Sequence, residues 1–552
     1  MGTLGNISGI AEKKRLNLHT EIHSSHALVS LPQQFNAASY FVDRHLQEGR
    51  GAKVAIECGE QRVTYAELEE RVNRLGNALL ALGVRIEERV LLLLLDTPEF
   101  AYSFFGAIKI GAVAVPVNTM LKPDDYAYLL NDCRARVAIV HEEMLPQIHR
   151  IPADRLRYLQ HIIVVGTAPG GMHSFTNLLR NSSPHLEPAL TSKDDAAFWL
   201  YSSGSTGFPK GCIHLQHDMV VTSELYAKRI LGITSQDRCF SVAKLFFAYG
   251  LGNGLYFSLA VGGTSILLPD RPRPAEVFAT IEHHRPTLFF SVPTNYAALL
   301  GHYRESGPEF DLSSIRYGVS AGEALPASIF HRFKQRFGVE ILDAIGSTEG
   351  LHMFIANRPG AVRPGSSGQI IPGCEARLVD GEGKTVAPGE IGDLLIRSDA
   401  VCACYWNQHE KTKDIIQGQW IHTGDKYYQD EDGYFWYAGR SDDMLKVNGL
   451  WVSPIELENV LIEHPAVKEA AVVGREDDDR LLKPAAYVVL NNGNKPSPEL
   501  VHELQGMVAA RLSSYKQPRW VEFVPELPKT ATGKVQRFKL RQAQIASPEG
   551  TV

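Results

Sequence analysis

Cysteine is sparse in this sequence and never paired at metal spacing. The seven residues, Cys58, Cys133, Cys212, Cys239, Cys374, Cys402 and Cys404, are scattered and odd in number, with one C-x-C and no C-x-x-C. That excludes a zinc ribbon or a disulfide framework and reads as a reduced, cytoplasmic chain without a structural metal. A strong excess of one charge is also missing. Lys and Arg number 56 against 62 Asp and Glu, a formal net charge of −6, which excludes a broadly basic nucleic-acid binder and leaves any anionic ligand to a local site. No apolar run is long enough to span a bilayer: the greasiest stretch, 90–117, is interrupted by Asp96, Pro98, Glu99 and Lys109, well short of the ~20 apolar residues a span needs. Internal repeats and low-complexity tracts are absent as well. Residues 1–30 mix charged, His and polar residues where a secretory signal would be unbroken and apolar, and they read as a disordered leader.

What is present points to a large globular protein. With 552 residues, 44% hydrophobic and 21% charged, the chain can fill more than one core. Thr64 and Glu67 form a capping-box pattern ahead of Leu68, Val72, Leu75, Leu79 and Leu82 at helical spacing, with Gly83 where a C′ glycine belongs. Short apolar strands are expected at 90–95, 137–140, 162–165, 196–200, 265–268 and 288–292, alternating with helices, which implies an α/β fold with covered sheets. Near Gly381 the texture shifts to shorter strands, with candidates at 394–397 and 434–437, and a β-rich subdomain is expected there. Ser453, Pro454 and Glu456 make a second capping-box pattern, followed by strands at 470–473 and 485–490. The expected organisation is an N-terminal domain over 31–440, a hinge at 441–443 and a small, mobile α+β domain over 444–552. The stretch from Arg511 to Arg541 carries eight Lys and Arg against two Glu, so this end is expected to face phosphates.

The strongest local signal is YSSGSTGFPKG, from Tyr201 to Gly211, directly after an apolar strand. Its glycines let the backbone aim several N–H groups at one anion, while Ser202, Ser203, Ser205, Thr206 and Lys210 add donors and charge around Gly204 and Gly207. The Pro-Lys-Gly order separates it from a Walker A loop, which needs Gly-Lys-Ser/Thr. Further along lie SAGEALP (320–326), DAIGSTE (343–349), HTGD (422–425), GRSDD (439–443) and PKTATGK (528–534).

This ordered set resembles the signature motifs of the adenylate-forming superfamily of acyl-CoA ligases, luciferases and peptide-synthetase adenylation domains, over about residues 35 to 541. The resemblance implies that Ala321, Gly322 and Glu323 lie along the adenine together with Asp343, Ala344, Gly346, Ser347 and Thr348, with Thr348 and Glu349 as a catalytic pair. It implies ATP and Mg2+ with coenzyme A as co-substrate. An ATP γ-to-α chain of charges repels an attacking carboxylate, so a cation and cationic donors are needed. Glu349 is then the metal ligand, Asp425 accepts the ribose hydroxyls, Arg440 reaches the ribose or the phosphate, and Lys534 is the transition-state cation. Taken alone, Asp425 reads as a turn residue, Glu349 as a surface acid and Lys534 as one solvated cation among eight. Their joint order carries the assignment.

The family resemblance further makes Asp442 a hinge about which the C-terminal domain turns, after which Gly449 lines a pantetheine tunnel and Lys446 approaches the carboxylate or the AMP. By itself Asn448-Gly449 is a hairpin turn. The segment AKLFFAYGLGNG (243–254) and Leu351 to Phe354 resemble the aryl pocket of benzoate-CoA ligases. Phe247, Ala248, Tyr249 and Gly250 would give flat walls, with Ala321 and Gly346 beside them and His352 and Met353 at the distal end. By composition alone the same residues pack a core helix, and His352 is equally a core histidine; if it reaches the ring, a hydroxyl or amino substituent is its partner. Ile345, His422, Phe208, Gly350 and Cys212 depart from common family residues, while Cys402 and Cys404 read as packing residues. The implied activity is an aromatic acid:CoA ligase forming acyl-AMP, with a small aromatic acid, ATP and CoA as partners and no nucleic acid or membrane, as a monomer or homodimer. The alternatives are a stand-alone aryl acid adenylation enzyme loading a separate carrier protein, a luciferase-like oxygenase and a non-catalytic nucleotide-binding homologue.

Overall fold

The computed structural model describes residues 29–202, 208–306, 310–441, 443–447, 450–477, 481–512, 516–529 and 535–546. The expected leader over 1–30 lies outside them except for Val29 and Ser30. Among the described residues no helix is long and apolar enough to cross a membrane. The greasy 90–117 stretch instead folds into strand Arg89–Leu93, helix Pro98–Lys109 and strand Val113–Pro116, nearly all of it buried. Asp96 and Pro98 break the run at the strand-to-helix turn, with Pro98 at the first helical position.

Thr64 caps helix Tyr65–Ala81 through a reciprocal capping box with Glu67, and Leu68, Val72, Leu75 and Leu79 are buried on one face. The helix stops where Gly83 takes φ +80°. There the Gly83 and Val84 N–H groups bond the carbonyls of Leu80 (2.9 Å) and Leu79 (3.0 Å), the two bonds of a Schellman end.

Three sheets build the large N-terminal domain. In the nine-stranded sheet, Val54–Cys58, Thr264–Leu267, Arg238–Ser241, Leu288–Ser291, Tyr317–Ser320 and Ile341–Gly346 run parallel in that spatial order. Gln61–Thr64 closes one edge antiparallel, and Met353–Ala356 and Gln369–Ile370 close the other. The eight-stranded sheet has a parallel centre, with Ala196–Ser202 and Lys210–Leu215 joined antiparallel and Cys404–Tyr405 at the edge. A continuous apolar core contains Phe104, Phe105 and Phe198 with Leu251, Tyr256 and Val319, side chains from both sheets and the helices between them. Burial on both faces explains why these strands read as short unbroken apolar runs. The β-rich region is a five-stranded antiparallel sheet that includes Glu375–Val379, Gly392–Arg397, Trp420–Gln429 and Phe435–Arg440.

The small C-terminal domain has the three-stranded sheet Val467–Glu476, Leu482–Leu490 and Trp520–Phe523 with helices Pro454–Ile462 and Pro498–Arg511 around a core of Leu457, Leu461, Val472, Val488 and Leu504. The second capping box forms only in part: Ser453 accepts from the Glu456 N–H, whereas the Glu456 carboxylate takes a 2.6 Å bond from Lys516. The hairpin Leu445–Val447 with Leu450–Val452 pairs Val447 opposite Leu450.

The basic C-terminal stretch is not the open phosphate-facing surface that its composition suggests. Six of its eight cations are ion-paired, five inside the domain (Arg511 with Glu463, Lys516 with Glu456, Arg519 with Asp477, Lys529 with Glu469 and Arg537 with Glu458) and Arg541 with Asp443 of the expected hinge. Their acids lie 42 or more residues earlier in the chain, so a count restricted to the stretch misses the compensation. Arg537 is the most enclosed of the six; its guanidinium grips both Glu458 oxygens at 2.9 and 2.8 Å, and its side chain is 15% exposed against 8% for Glu458. Removing one partner of a buried pair strands the other charge. Arg537→Met is therefore expected to destabilise the C-terminal domain by about 3 kcal/mol, read as an earlier urea transition, with Arg511→Met, an exposed pair, shifting it little.

Candidate active site

The sequence motifs converge because their segments leave parallel strands at the same end. The 243–254 segment follows strand Arg238–Ser241, the 321–326 turn follows Tyr317–Ser320, and Ser347 to Glu349 follow Ile341–Gly346. The carboxyl ends of parallel strands are where open α/β sheets bind ligands. Strand Ala196–Ser202 of the second sheet ends against them, where Ser202 bonds Glu349, so these segments meet on the seam between the two sheets.

Glu349 ties that seam. Its Oε1 accepts from the Ser202 hydroxyl at 3.2 Å and from the Tyr405 hydroxyl at 2.7 Å, with the Cys212 thiol at 3.9 Å. Its carbonyl accepts from the Cys402 N–H at 2.7 Å. Thr348 is fixed beside it: His214 Nε2 donates to the Thr348 carbonyl at 2.8 Å while Nδ1 stands 2.8 Å from Asp218. A carbonyl only accepts, so this nitrogen carries the proton. His214 and Asp218 are fully buried, and the imidazole stacks on Phe198. Ser347 accepts from the Gly350 N–H at 3.0 Å.

Lys210 opens strand Lys210–Leu215 opposite Ser202, with its Nζ 4.4 Å from the Tyr405 ring centroid. Phe208 is 68% exposed and stacks on Tyr128 at 4.6 Å. Ser203, Gly204, Ser205, Thr206 and Gly207, the centre of the expected phosphate cradle, lie outside the described residues, as do Asp442, Gly449 and Lys534. Lys446 is placed only by its backbone in Leu445–Val447.

On the nucleotide side, Ala321 is buried and Gly322 and Glu323 lie on the same turn. Asp343 accepts from the Leu325 N–H at 3.3 Å, and burial pushes its carboxyl up to about 8. At neutral pH that group is mostly protonated and can donate as well as accept. Ala344 is buried on the same strand. Asp425 sits opposite Arg440 in the sheet register, 3.1 Å from its guanidinium. Ser441 donates to Asp393 at 2.7 Å, whereas Asp443 accepts from Arg541 at 2.8 Å.

The acid-pocket residues also gather. The Leu245 N–H donates to buried Asp96 at 3.1 Å, and Lys244 spans from Asp96 to the Leu268 and Asp270 carbonyls, anchoring the segment. Ala248 is buried, and Phe247 is half-buried with its ring against Phe246. Tyr249 spends its hydroxyl on the Ser291 and Val319 carbonyls at 3.0 and 3.2 Å, which leaves its ring face as wall. Gly250 and Gly346 have a different role from open walls: a Cβ on Gly250 would meet the Lys244 carbonyl at 2.1 Å, and one on Gly346 the His352 carbonyl at 2.3 Å, so both positions are set by backbone packing. Met353 is buried on the neighbouring strand.

His352 is fully enclosed by Phe257, Tyr226 and Tyr249, whose ring centroids lie 4.4, 5.4 and 5.9 Å away. Gly252 allows this approach, since a Cβ there would come within 2.6 Å of the imidazole. Neither ring nitrogen makes a hydrogen bond of good geometry among the described residues, and the Tyr226 hydroxyl is likewise unpartnered. Burial, outweighing the Tyr249 carbonyl, lowers the imidazole to about 3, so it is neutral, with one donor and one acceptor to offer. The flanking segments Ser223–Lys228 and Gly252–Tyr256 are π-helical, a distortion frequent at functional sites.

Sequence reasoning missed His214, Asp218, Tyr226 and Tyr405. None stands in a motif used above; each reaches the site through pairing or packing between distant segments.

Comparison with known proteins accords with this geometry. The pattern described as AMP-binding enzyme matches residues 43–406, and that described as AMP-binding enzyme C-terminal domain matches 456–534. The benzoate–CoA ligase of Thauera aromatica is 48% identical over 521 residues, covering 93% of this chain and 97% of the relative. The 4-hydroxybenzoate–CoA/benzoate–CoA ligase of Rhodopseudomonas palustris is 45% identical, covering 94% and 96%. Among solved structures, the anthranilate CoA ligase AuaEII in complex with anthranoyl-AMP is 48% identical with a TM-score of 0.89, covering 93% of this chain and 98% of that one. The benzoate CoA ligase of Burkholderia xenovorans LB400 is 46% identical with a TM-score of 0.84, covering 92% and 100%. With both patterns matched in order and relatives aligned along nearly their whole length, the chain belongs to the AMP-binding enzyme family.

Proposed function

We propose that this chain is an aromatic acid:CoA ligase that activates a benzoate-type carboxylate with MgATP to acyl-AMP and pyrophosphate, then passes the acyl group to free coenzyme A. The substrate class includes benzoates bearing an amino or hydroxy group. The observation that carries the substituent is the enclosed, neutral His352, whose nitrogens make no hydrogen bond of good geometry among the described residues and whose cage is otherwise aromatic. A buried polar group left unpaired is costly, and a ring substituent meets that need. The benzoate and anthranilate ligases among the relatives support the aromatic class.

A carboxylate is a poor acyl electrophile because its charge is shared over two oxygens; the mixed anhydride with AMP supplies a good leaving group. In this chain Phe247, Ala248 and the Tyr249 ring face hold the aromatic acid flat while Lys210 receives a phosphate oxygen and Ser202, its hydroxyl donated to Glu349, borders the phosphate path. Asp425 accepts from the ribose, Arg440 lies beside it, and Asp343 with 321–323 bounds the adenine. Lys534 adds positive charge at the reacting phosphate. The lone carboxylate of Glu349 suits magnesium, since Mg2+ commonly takes one carboxylate with phosphate and water oxygens. Glu349 would be that carboxylate, and Mg2+ held there would supply the positive charge that neutralises the phosphates. For the second step the C-terminal domain turns about Asp442, withdraws Lys534 and brings Gly449 to the pantetheine path, with Lys446 near the acyl-AMP.

Three outcomes check this reading. Lys534→Ala should slow ATP–pyrophosphate exchange by about 100-fold or more yet leave thioester formation from supplied benzoyl-AMP and CoA largely intact; equal loss of both would contradict the separate roles. In a panel of benzoate, aminobenzoates, hydroxybenzoates and short fatty acids, the aryl acids should support exchange and the fatty acids should not. If acyl-AMP accumulates without CoA consumption, the acceptor is a carrier protein instead. His352→Leu should lower kcat/KM for amino- or hydroxybenzoates about tenfold more than for benzoate; a uniform loss would remove His352 from substituent recognition.

A further inference from the structure

Tyr405 belongs to no phosphate, adenine or aryl-pocket motif, yet it touches two charged groups assigned to MgATP. It is delivered by the short strand Cys404–Tyr405, which pairs antiparallel with Lys210–Leu215 so that Tyr405 stands opposite Cys212. The register is held by the Ala403 N–H on the Ile213 carbonyl (2.9 Å) and the Trp406 N–H on the Gly211 carbonyl (2.8 Å). The ring is 3% exposed. Its hydroxyl is 2.7 Å from Glu349 Oε1, and one of its ring faces lies 4.4 Å from Lys210 Nζ.

We propose that Tyr405 is a positioning residue for adenylation: its hydroxyl orients Glu349 as a one-oxygen metal ligand while its ring keeps Lys210 beside the phosphate loop. An ionised carboxylate only accepts, so the phenol is the donor. Burial and the neighbouring Glu349 both hold the phenol in its protonated, donating form. The Ser202 hydroxyl and the Cys212 thiol lie on the same oxygen, and Oε2 makes no hydrogen bond among the described residues. Two hydroxyl donors on one oxygen, with the Cys212 thiol packed against it, fix the rotation of the carboxylate and leave the other oxygen for the metal. One-oxygen ligation suits Mg2+, whose octahedral shell must also take phosphate and water oxygens, and partners of this kind on a metal ligand are commonly worth 10- to 100-fold in affinity. The ring contact with Lys210 is a cation–π interaction, so one side chain sets the geometry of both charges.

The proposal rests on Glu349 being the metal ligand, and the experiment separates the two. Mn2+ binding to the ATP complex of the whole enzyme, followed by electron paramagnetic resonance without aryl acid, reads metal affinity independently of turnover. Tyr405→Phe keeps the ring and the Lys210 contact and removes only the hydroxyl. It is expected to weaken Mn2+ about tenfold and to raise the Mg2+ concentration needed for ATP–pyrophosphate exchange, with kcat recovering at saturating Mg2+. Thioester formation from supplied benzoyl-AMP should be unchanged, which also reports an intact fold. Tyr405→Leu, which loses the ring as well, should further raise KM for ATP. Unchanged Mn2+ affinity in Tyr405→Phe alongside its loss in Glu349→Ala would overturn the role of Tyr405 while keeping the metal ligand. Unchanged affinity in Glu349→Ala would overturn both.

Discussion

A single carboxylate oxygen, Glu349 Oε1, gathers hydroxyl donors from Ser202 and Tyr405 and lies against the Cys212 thiol. Much of the site geometry follows from that convergence. The donors come from strands of the eight-stranded sheet, while Glu349 follows a strand of the nine-stranded one, so the acid can be oriented only if the two sheets keep their relative position. The shared core fixes that position through bulk packing, and His214 on the Thr348 carbonyl refines it. Deep burial thus serves the chemistry indirectly, by allowing a charged group at the seam to have one orientation.

The fold was legible where local chemistry decides it. The Thr64 capping box, the Gly83 helix end and the short apolar strands follow from periodicity and turn residues, and their positions agree with the structure to within a few residues. The Ser453 box was only half legible, because Lys516 competes for Glu456 across 60 residues. The same limit applies to the basic C-terminal stretch, whose charge is cancelled by acids that no local window contains. Sequence order singled out the segments from Ser202 to Arg440 as candidates because each carries residues whose chemistry fits nucleotide handling. Tyr405 and His214 were invisible for the opposite reason. A lone Tyr or His has too many ordinary uses, and only the strand register shows what each one touches.

The aryl pocket has a different physical character from the nucleotide side. On the proposed nucleotide side Ser202, Lys210, Glu349 and Asp425 are half-buried and Arg440 is exposed. At the distal end the structure encloses a neutral imidazole among aromatic rings, next to two π-helical segments and a glycine with no room for a side chain. Such an enclosure costs stability in the absence of a partner. It also sharpens discrimination, because a ligand that fails to satisfy the imidazole leaves that cost in place.

The internal pairing of the C-terminal cations bears on how a nucleotide arrives. With most of their charge neutralised at close range and the whole chain net negative, little far-reaching attraction remains to draw a polyanion from solution. An anion approaching the C-terminal face therefore meets mostly neutralised charge, and any firm hold on it comes from donors within hydrogen-bond reach.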